Sequence, residues 1–147
     1  MGRILAIDYG RRRCGIAVTD PMRIVATALA TVDTPHLADF VLRYMGTETV
    51  DEIVVGHPTT LSGEPSESMR YIVPGIAKLR KRLPPGVEVT FYDERFTSAL
   101  AHQAMIDSGM HRMQRRDKAV VDRMAATIIL NEYLQSKAYN ENNNRNI

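Results

Sequence analysis

Ile4-Leu5-Ala6-Ile7-Asp8-Tyr9-Gly10 decides how this chain is read. Four apolar residues run straight into an acid, and a glycine follows two positions later. A continuous apolar run of this length, closed by turn residues, predicts a strand buried on both faces. Asp8 then stands where that strand leaves the core. A carboxylate there is costly unless it is hydrogen-bonded, solvated or bound to a cation. Taken alone, Asp8 reads as an Asx-type turn residue ahead of Gly10.

The residues downstream repeat the strand pattern. A turn at Gly10 to Arg13 leads to a second strand, Cys14–Thr19, which Asp20-Pro21 breaks. A third is predicted over Ile24–Thr31. Three strands with no room for helices between them must form an antiparallel meander. Thr34 and Pro35 suit the cap and first position of a helix, which Leu37, Phe40, Val41 and Tyr44 continue at 3.6-residue spacing and Gly46 closes. Glu52–Gly56 reads as a buried strand. A helix from Ser66 places Met69, Ile72, Val73, Ile76 and Leu79 on one stripe, and Pro74 should kink it or displace its start. Val87, Val89 and Phe91 alternate as a fifth strand, followed by Asp93-Glu94. A short helix over 98–107, a basic loop over 108–118 and a last helix from Ala119 to about Gln135 complete the domain. The order predicts an α/β domain with a five-stranded mixed sheet, three antiparallel strands plus two parallel ones reached by helical crossovers. Residues 1–136 form the domain. The stretch 137–147, with five asparagines, is expected to be a disordered tail.

Composition narrows the function. A length of 147 residues suits one domain, and 44% apolar residues suit an ordinary core. No apolar run approaches a membrane span, and Asp8 with Arg11-Arg12-Arg13 interrupts any secretory signal. The single cysteine, Cys14, excludes an internal disulfide and a multi-cysteine zinc site, and its place in an apolar strand reads as core. A reducing cytoplasm is the expected location. Net charge is only +2, but cations cluster at Arg11–Arg13, Lys78–Arg82 and His111–Lys118. Such clusters suit phosphate, although the second also suits a helix C-terminus.

Three acids are predicted to converge. If the fourth and fifth strands run parallel to the first, Asp8 and the Asp93-Glu94 pair share one sheet edge, the edge where α/β proteins bind ligands. Asp122 shares a helix face with Ala125, Ala126, Ile129 and Tyr133, so an acid sits on a core-facing stripe. An i, i+4 pair with Lys118 is the bland explanation for it. Gathered carboxylates repel, and a hard divalent cation such as Mg²⁺ removes the repulsion. Two such ions support phosphodiester hydrolysis. No His-Glu-x-x-His, Gly-x-Ser-x-Gly or Walker-type pattern competes.

These residues resemble the YqgF (RuvX) family of small bacterial proteins in the ribonuclease H-like superfamily. The matching stretches are Asp8-Tyr9-Gly10 through Arg13–Asp20, Val54–Pro58 with Gly63, Asp93–Ser98, and Lys118–Asp122 with Ala125-Ala126 and Ile129-Leu130. They span about Ile4 to Leu134. His57 and Phe96 stand where the family usually has leucine. The resemblance implies a ribonuclease H-like sheet flanked by helices and a nuclease centre at Asp8, Glu94 and Asp122, with Asp93 or Asp20 as candidates for a fourth acid. It implies Mg²⁺ or Mn²⁺ as cofactor and processing of the 5′ end of pre-16S rRNA in ribosome biogenesis. Arg11, Arg12, Arg13, Arg95, Arg112, Arg115, Arg116 and Lys118 would contact structured RNA. Other readings are a Holliday-junction resolvase, a catalytically inactive RNA-binding protein and, less well supported at this length, an ATPase module. A monomer or weak homodimer is expected, and a resolvase would need the dimer.

Overall fold

The computed structural model describes residues 2–57, 67–93 and 118–145. The opening stretch lies in strand β1, Arg3–Tyr9. Antiparallel β2 (Arg13–Thr19) and β3 (Ala26–Asp33) follow, then a 3₁₀ turn at Thr34–His36 and helix α1, Leu37–Met45. After β4 (Val50–His57) come α2 (Met69–Arg82), β5 (Glu88–Asp93) and α3 (Lys118–Arg145). One five-stranded sheet has the order β3-β2-β1-β4-β5. β1 pairs antiparallel with β2 and parallel with β4, and β4 is parallel to β5. The meander and the parallel pairs are those the sequence predicts.

Period-two alternation divides the core. Leu5 and Ile7 of β1 pack with Leu37, Val41, Ile72, Ile76 and Leu79 of α1 and α2. Ile4 and Ala6 point the other way and pack with Ala126, Ile129 and Leu130 of α3. Ile4, Leu5, Ala6 and Ile7 are at most 1% exposed, which explains why this run has no polar alternation. Cys14 is a buried core residue.

Several boundaries differ from expectation. β3 lies two residues later than 24–31, because Asp20 spends its carboxylate on the turn before it. That carboxylate accepts hydrogen bonds from the backbone N–H groups of Met22, Ile24 and Val25. Thr34 does not cap a helix. Its hydroxyl donates instead to the Gly10 carbonyl at 2.7 Å, and α1 starts only at Leu37. Val73 is 51% exposed, because it lies one residue, about 100° of helix rotation, from Ile72 and so leaves the stripe. α2 begins at Met69 and contains Pro74. α3 continues beyond Gln135 through the Asn-rich stretch to Arg145. A helix already held by packing extends with a small penalty per added residue, even through modest helix formers. The expected helix at 98–107 lies outside the described residues, as does the loop at 108–117.

Candidate metal and nucleic-acid site

The parallel register aligns the C-terminal ends of three strands. Ile7 pairs with Val55, and His57 pairs with Asp93. Asp8 and Asp93 therefore share the sheet edge the sequence predicts. Asp8 remains inside β1, opposite Gly15 of β2, rather than in a turn. Alternation turns its side chain toward the α3 side, with Ile4 and Ala6.

Gly15 is what brings Asp122 to it. A Cβ at Gly15 would collide with the Asp122 backbone carbonyl, so only glycine lets α3 cross β2 at this point. The small side chains of Ala125 and Ala126 continue this close approach. α3 is also tied down by hydrogen bonds. The Thr31 hydroxyl donates to the Ala119 carbonyl at 2.6 Å, and the Arg123 guanidinium donates to Thr31 Oγ1 at 3.3 Å. Farther along, Tyr133 donates to the Glu52 carboxylate, with oxygen distances of 2.6 and 3.0 Å.

Asp8 senses its acidic neighbour. Burial, and secondarily the Asp122 charge, push the Asp8 carboxyl up from 3.8 to about 6. Asp8 is half-buried, and among the described residues nothing donates a hydrogen bond to its carboxylate. Arg13 Nε donates to Asp122 Oδ2 at 3.2 Å. Asp122 is therefore paired with a residue distant in sequence. The side chain of Lys118, its expected partner, lies outside the described residues.

The donor set fits a divalent cation. The Asp8 carboxyl is desolvated beside the Asp122 charge, no described residue donates a hydrogen bond to it, and hard cations favour carboxylate oxygen. Among the described residues, no three Asp, Glu, His or Cys side chains gather as a metal cluster. The expected third ligand, Glu94, lies outside them, as do Arg95, Phe96, Arg112, Arg115 and Arg116. Asp93 ends β5 as an exposed residue on the shared edge. Asp20 is at the opposite edge, next to the start of β1, and its backbone hydrogen bonds lower its pKa. It is no fourth ligand of this site. His57 closes β4 with its ring edge-on to Phe91, centroids 6.1 Å apart.

The cationic turn is braced as well. The Thr34 N–H donates to the Arg12 carbonyl at 2.9 Å, while the Thr34 hydroxyl holds Gly10. Arg11 and Arg12 are exposed at its tip, beside the C-terminal end of β1. Gly15, Thr31 and Thr34 were not apparent as site-building residues in the sequence. An isolated glycine inside a strand pattern was the one available signal, since it often marks close backbone approach.

A family model, RuvX, described as Holliday junction resolvase, matches residues 2–136. The chain belongs to the RuvX family. A relative from Phocaeicola vulgatus is 54% identical over 95% of this chain and 99% of its own length. One from Bacteroides fragilis is 49% identical over 93% and 99%. Both bear the name "Putative pre-16S rRNA nuclease". T. thermophilus RuvC, solved in complex with Holliday junction substrate, superposes with a TM-score of 0.51 at 13% identity, covering 88% of this chain and 92% of that one. The fold of this RuvX-family chain is thus ribonuclease H-like. Among the described residues, no helix is long and apolar enough to cross a membrane.

Proposed function

We propose that this chain is a divalent-metal-dependent nuclease that processes the 5′ end of pre-16S rRNA in the cytoplasm. The observation that carries the reading is the Asp8 carboxylate, desolvated, without a donor among the described residues and beside the Asp122 charge where α3 crosses Gly15. Asp8, Asp122 and Glu94 would hold Mg²⁺ or Mn²⁺, with Asp93 as a candidate fourth ligand. Bound as a pair, the ions supply an activated water and stabilise the leaving oxygen of a phosphodiester.

The chain's own residues do the rest. Asp8 is ionised at neutral pH, because about 6 lies below it, and is ready to ligate without first losing a proton. Arg13 orients the Asp122 carboxylate through its 3.2 Å hydrogen bond. Arg11 and Arg12, exposed on the braced turn, are placed to neutralise phosphates entering at the edge. Arg95, Arg112, Arg115, Arg116 and Lys118 are assigned the same role. The names of the close relatives favour RNA.

A four-way DNA junction is the second reading, favoured by the family description and the likeness to RuvC. A 5′-extended 16S precursor and a four-way junction, offered side by side with Mn²⁺ and with chelator, separate the two. Metal-dependent trimming of the precursor alone is expected. Paired symmetric cuts in the junction, made by a dimer, would transfer the assignment to DNA. Binding without cleavage of either would leave an RNA-binding protein.

A further inference from the structure

The opposite face of the sheet carries a groove of about 950 Å³. Tyr9, Arg11, Arg70, Tyr71, Lys78 and Lys81 shape it, and among the described residues no acid lines it. Tyr9 follows Asp8 directly in β1, so its side chain faces the α1/α2 side. It packs against Gly75, where a Cβ would overlap the Tyr9 hydroxyl. The Tyr9 and Tyr71 rings are 6.3 Å apart, and the Arg11 guanidinium lies 6.0 Å from the Tyr71 centroid.

The charge on this groove is not explained by α2 alone. Lys78 and Lys81 lie toward the helix C-terminus, where the dipole favours cations. Arg70 is in the first turn, where the dipole disfavours one, and Arg11 comes from the β1–β2 turn. Among the described residues, Arg11, Arg70, Lys78 and Lys81 form no ion pair, whereas Arg82 is held by Asp39 at 2.9 Å. Cations from separate elements around half-buried aromatic rings match the chemistry of single-stranded nucleic acid, in which phosphates alternate with bases that stack.

We infer that this groove holds a single-stranded nucleic-acid segment that flanks the processed region and reaches it around the turn at residues 10–12. The proposal rests on the nuclease reading only for the identity of the substrate. Arg11 stands at the crossing point, on the turn between the edge that carries Asp8 and the groove. Arg70, Lys78 and Lys81 would neutralise successive phosphates, and Tyr71 would offer a ring to a base. The groove would then select precursor ends that carry an unpaired extension over fully paired ones.

The test uses the full-length protein in chelator, so that nothing is cut. Fluorescence anisotropy compares an RNA hairpin bearing a single-stranded 5′ oligouridine tail with the same hairpin without it. The wild-type protein is expected to bind the tailed hairpin roughly tenfold more tightly. Arg70→Gln combined with Lys78→Gln should abolish that advantage, flatten the salt dependence and leave tail-less binding unchanged. Tyr71→Leu should reduce the advantage without changing the salt slope. If Tyr71→Leu does not fold, the double variant, checked by thermal melting, carries the test. A well-folded double variant that keeps the full tail advantage overturns the proposal. So does displacement of the tail by polyglutamate as readily as by oligouridine, which would assign the groove to acidic polypeptide. Failure of the nuclease reading looks different: neither hairpin is cut with Mn²⁺, while the tail advantage persists.

Discussion

Two carboxylates lie under α3, and the chain treats them in opposite ways. Glu52 of β4 is buried, only 5% exposed, and fully engaged. Tyr133 donates to it, and Lys137 Nζ stands 3.5 Å away. Asp8 of β1, near the other end of the same face, keeps some exposure, has an acid for its neighbour and has no donor among the described residues. Glu52 is a tether that holds the far half of α3 on the sheet. Asp8 is a half-buried group to which no described residue donates a hydrogen bond. Buried polar groups in folded chains nearly always have partners. A carboxylate with no donor among the described residues and an acid beside it suits a bound cation.

The widest separation between the two acids should appear in catalysis. Asp8→Asn is expected to reduce Mn²⁺-dependent cleavage of the 16S precursor by roughly a thousandfold, as loss of a metal ligand forfeits several kcal/mol of transition-state stabilisation. Glu52→Gln should stay within a few-fold of wild type. Equal losses in the two variants would mean that Asp8 matters only for folding.

Gly15→Ala comes next, because it pushes on the contact that brings Asp122 to Asp8. Forcing a methyl against the Asp122 carbonyl should destabilise the protein by about 3 kcal/mol and impair cleavage as well. Urea denaturation and the cleavage assay, run on one preparation, check both effects.

The Asp8→Asn change should then act oppositely on stability. In the folded chain Asp8 titrates near 6, against 3.8 for the unperturbed group. The folded state holds this proton more tightly, so ionisation of Asp8 opposes folding. That penalty is absent below about pH 4, grows as pH rises toward 6 and is complete above it. Metal-free Asp8→Asn should therefore be about 2 kcal/mol more stable than wild type at pH 8, with the difference vanishing near pH 4. Saturating Mn²⁺ should stabilise the wild type selectively and narrow the gap at pH 8. Thermal melts across pH, with metal and with chelator, measure both trends.

The smallest effect belongs to the tether. Tyr133→Phe removes the donor from a buried Glu52 and should lower stability by about 1.5 kcal/mol without changing the metal response. A variant as stable as wild type would show that Lys137 alone satisfies Glu52.

Much of this was legible in the residues themselves. The apolar run Ile4–Ile7, the short meander loops and the helical crossovers are enough to predict a five-stranded mixed sheet, because strand and helix periods are local properties. Asp8 and Asp122 could be singled out because each is an acid in an apolar setting. Arg13 as the partner of Asp122, by contrast, could not be read, since a pair separated so far along the chain exists only once α3 lies over β2. Thr34 was misleading for a related reason. Its cap signature is local, but the Gly10 carbonyl offered its hydroxyl a competing acceptor.

The sequence by itself determined the two-sided burial of β1, the division of the chain into a meander and crossovers, and the identity of the acids. Burial of apolar surface depends on pattern, and pattern is written along the chain. Only the tertiary structure decided what surrounds each carboxylate. Whether Tyr133 reaches Glu52 and whether Asp122 comes to Asp8 both depend on how α3 crosses the sheet. Gly15 permits that crossing by adding no atoms where the Asp122 backbone must pass.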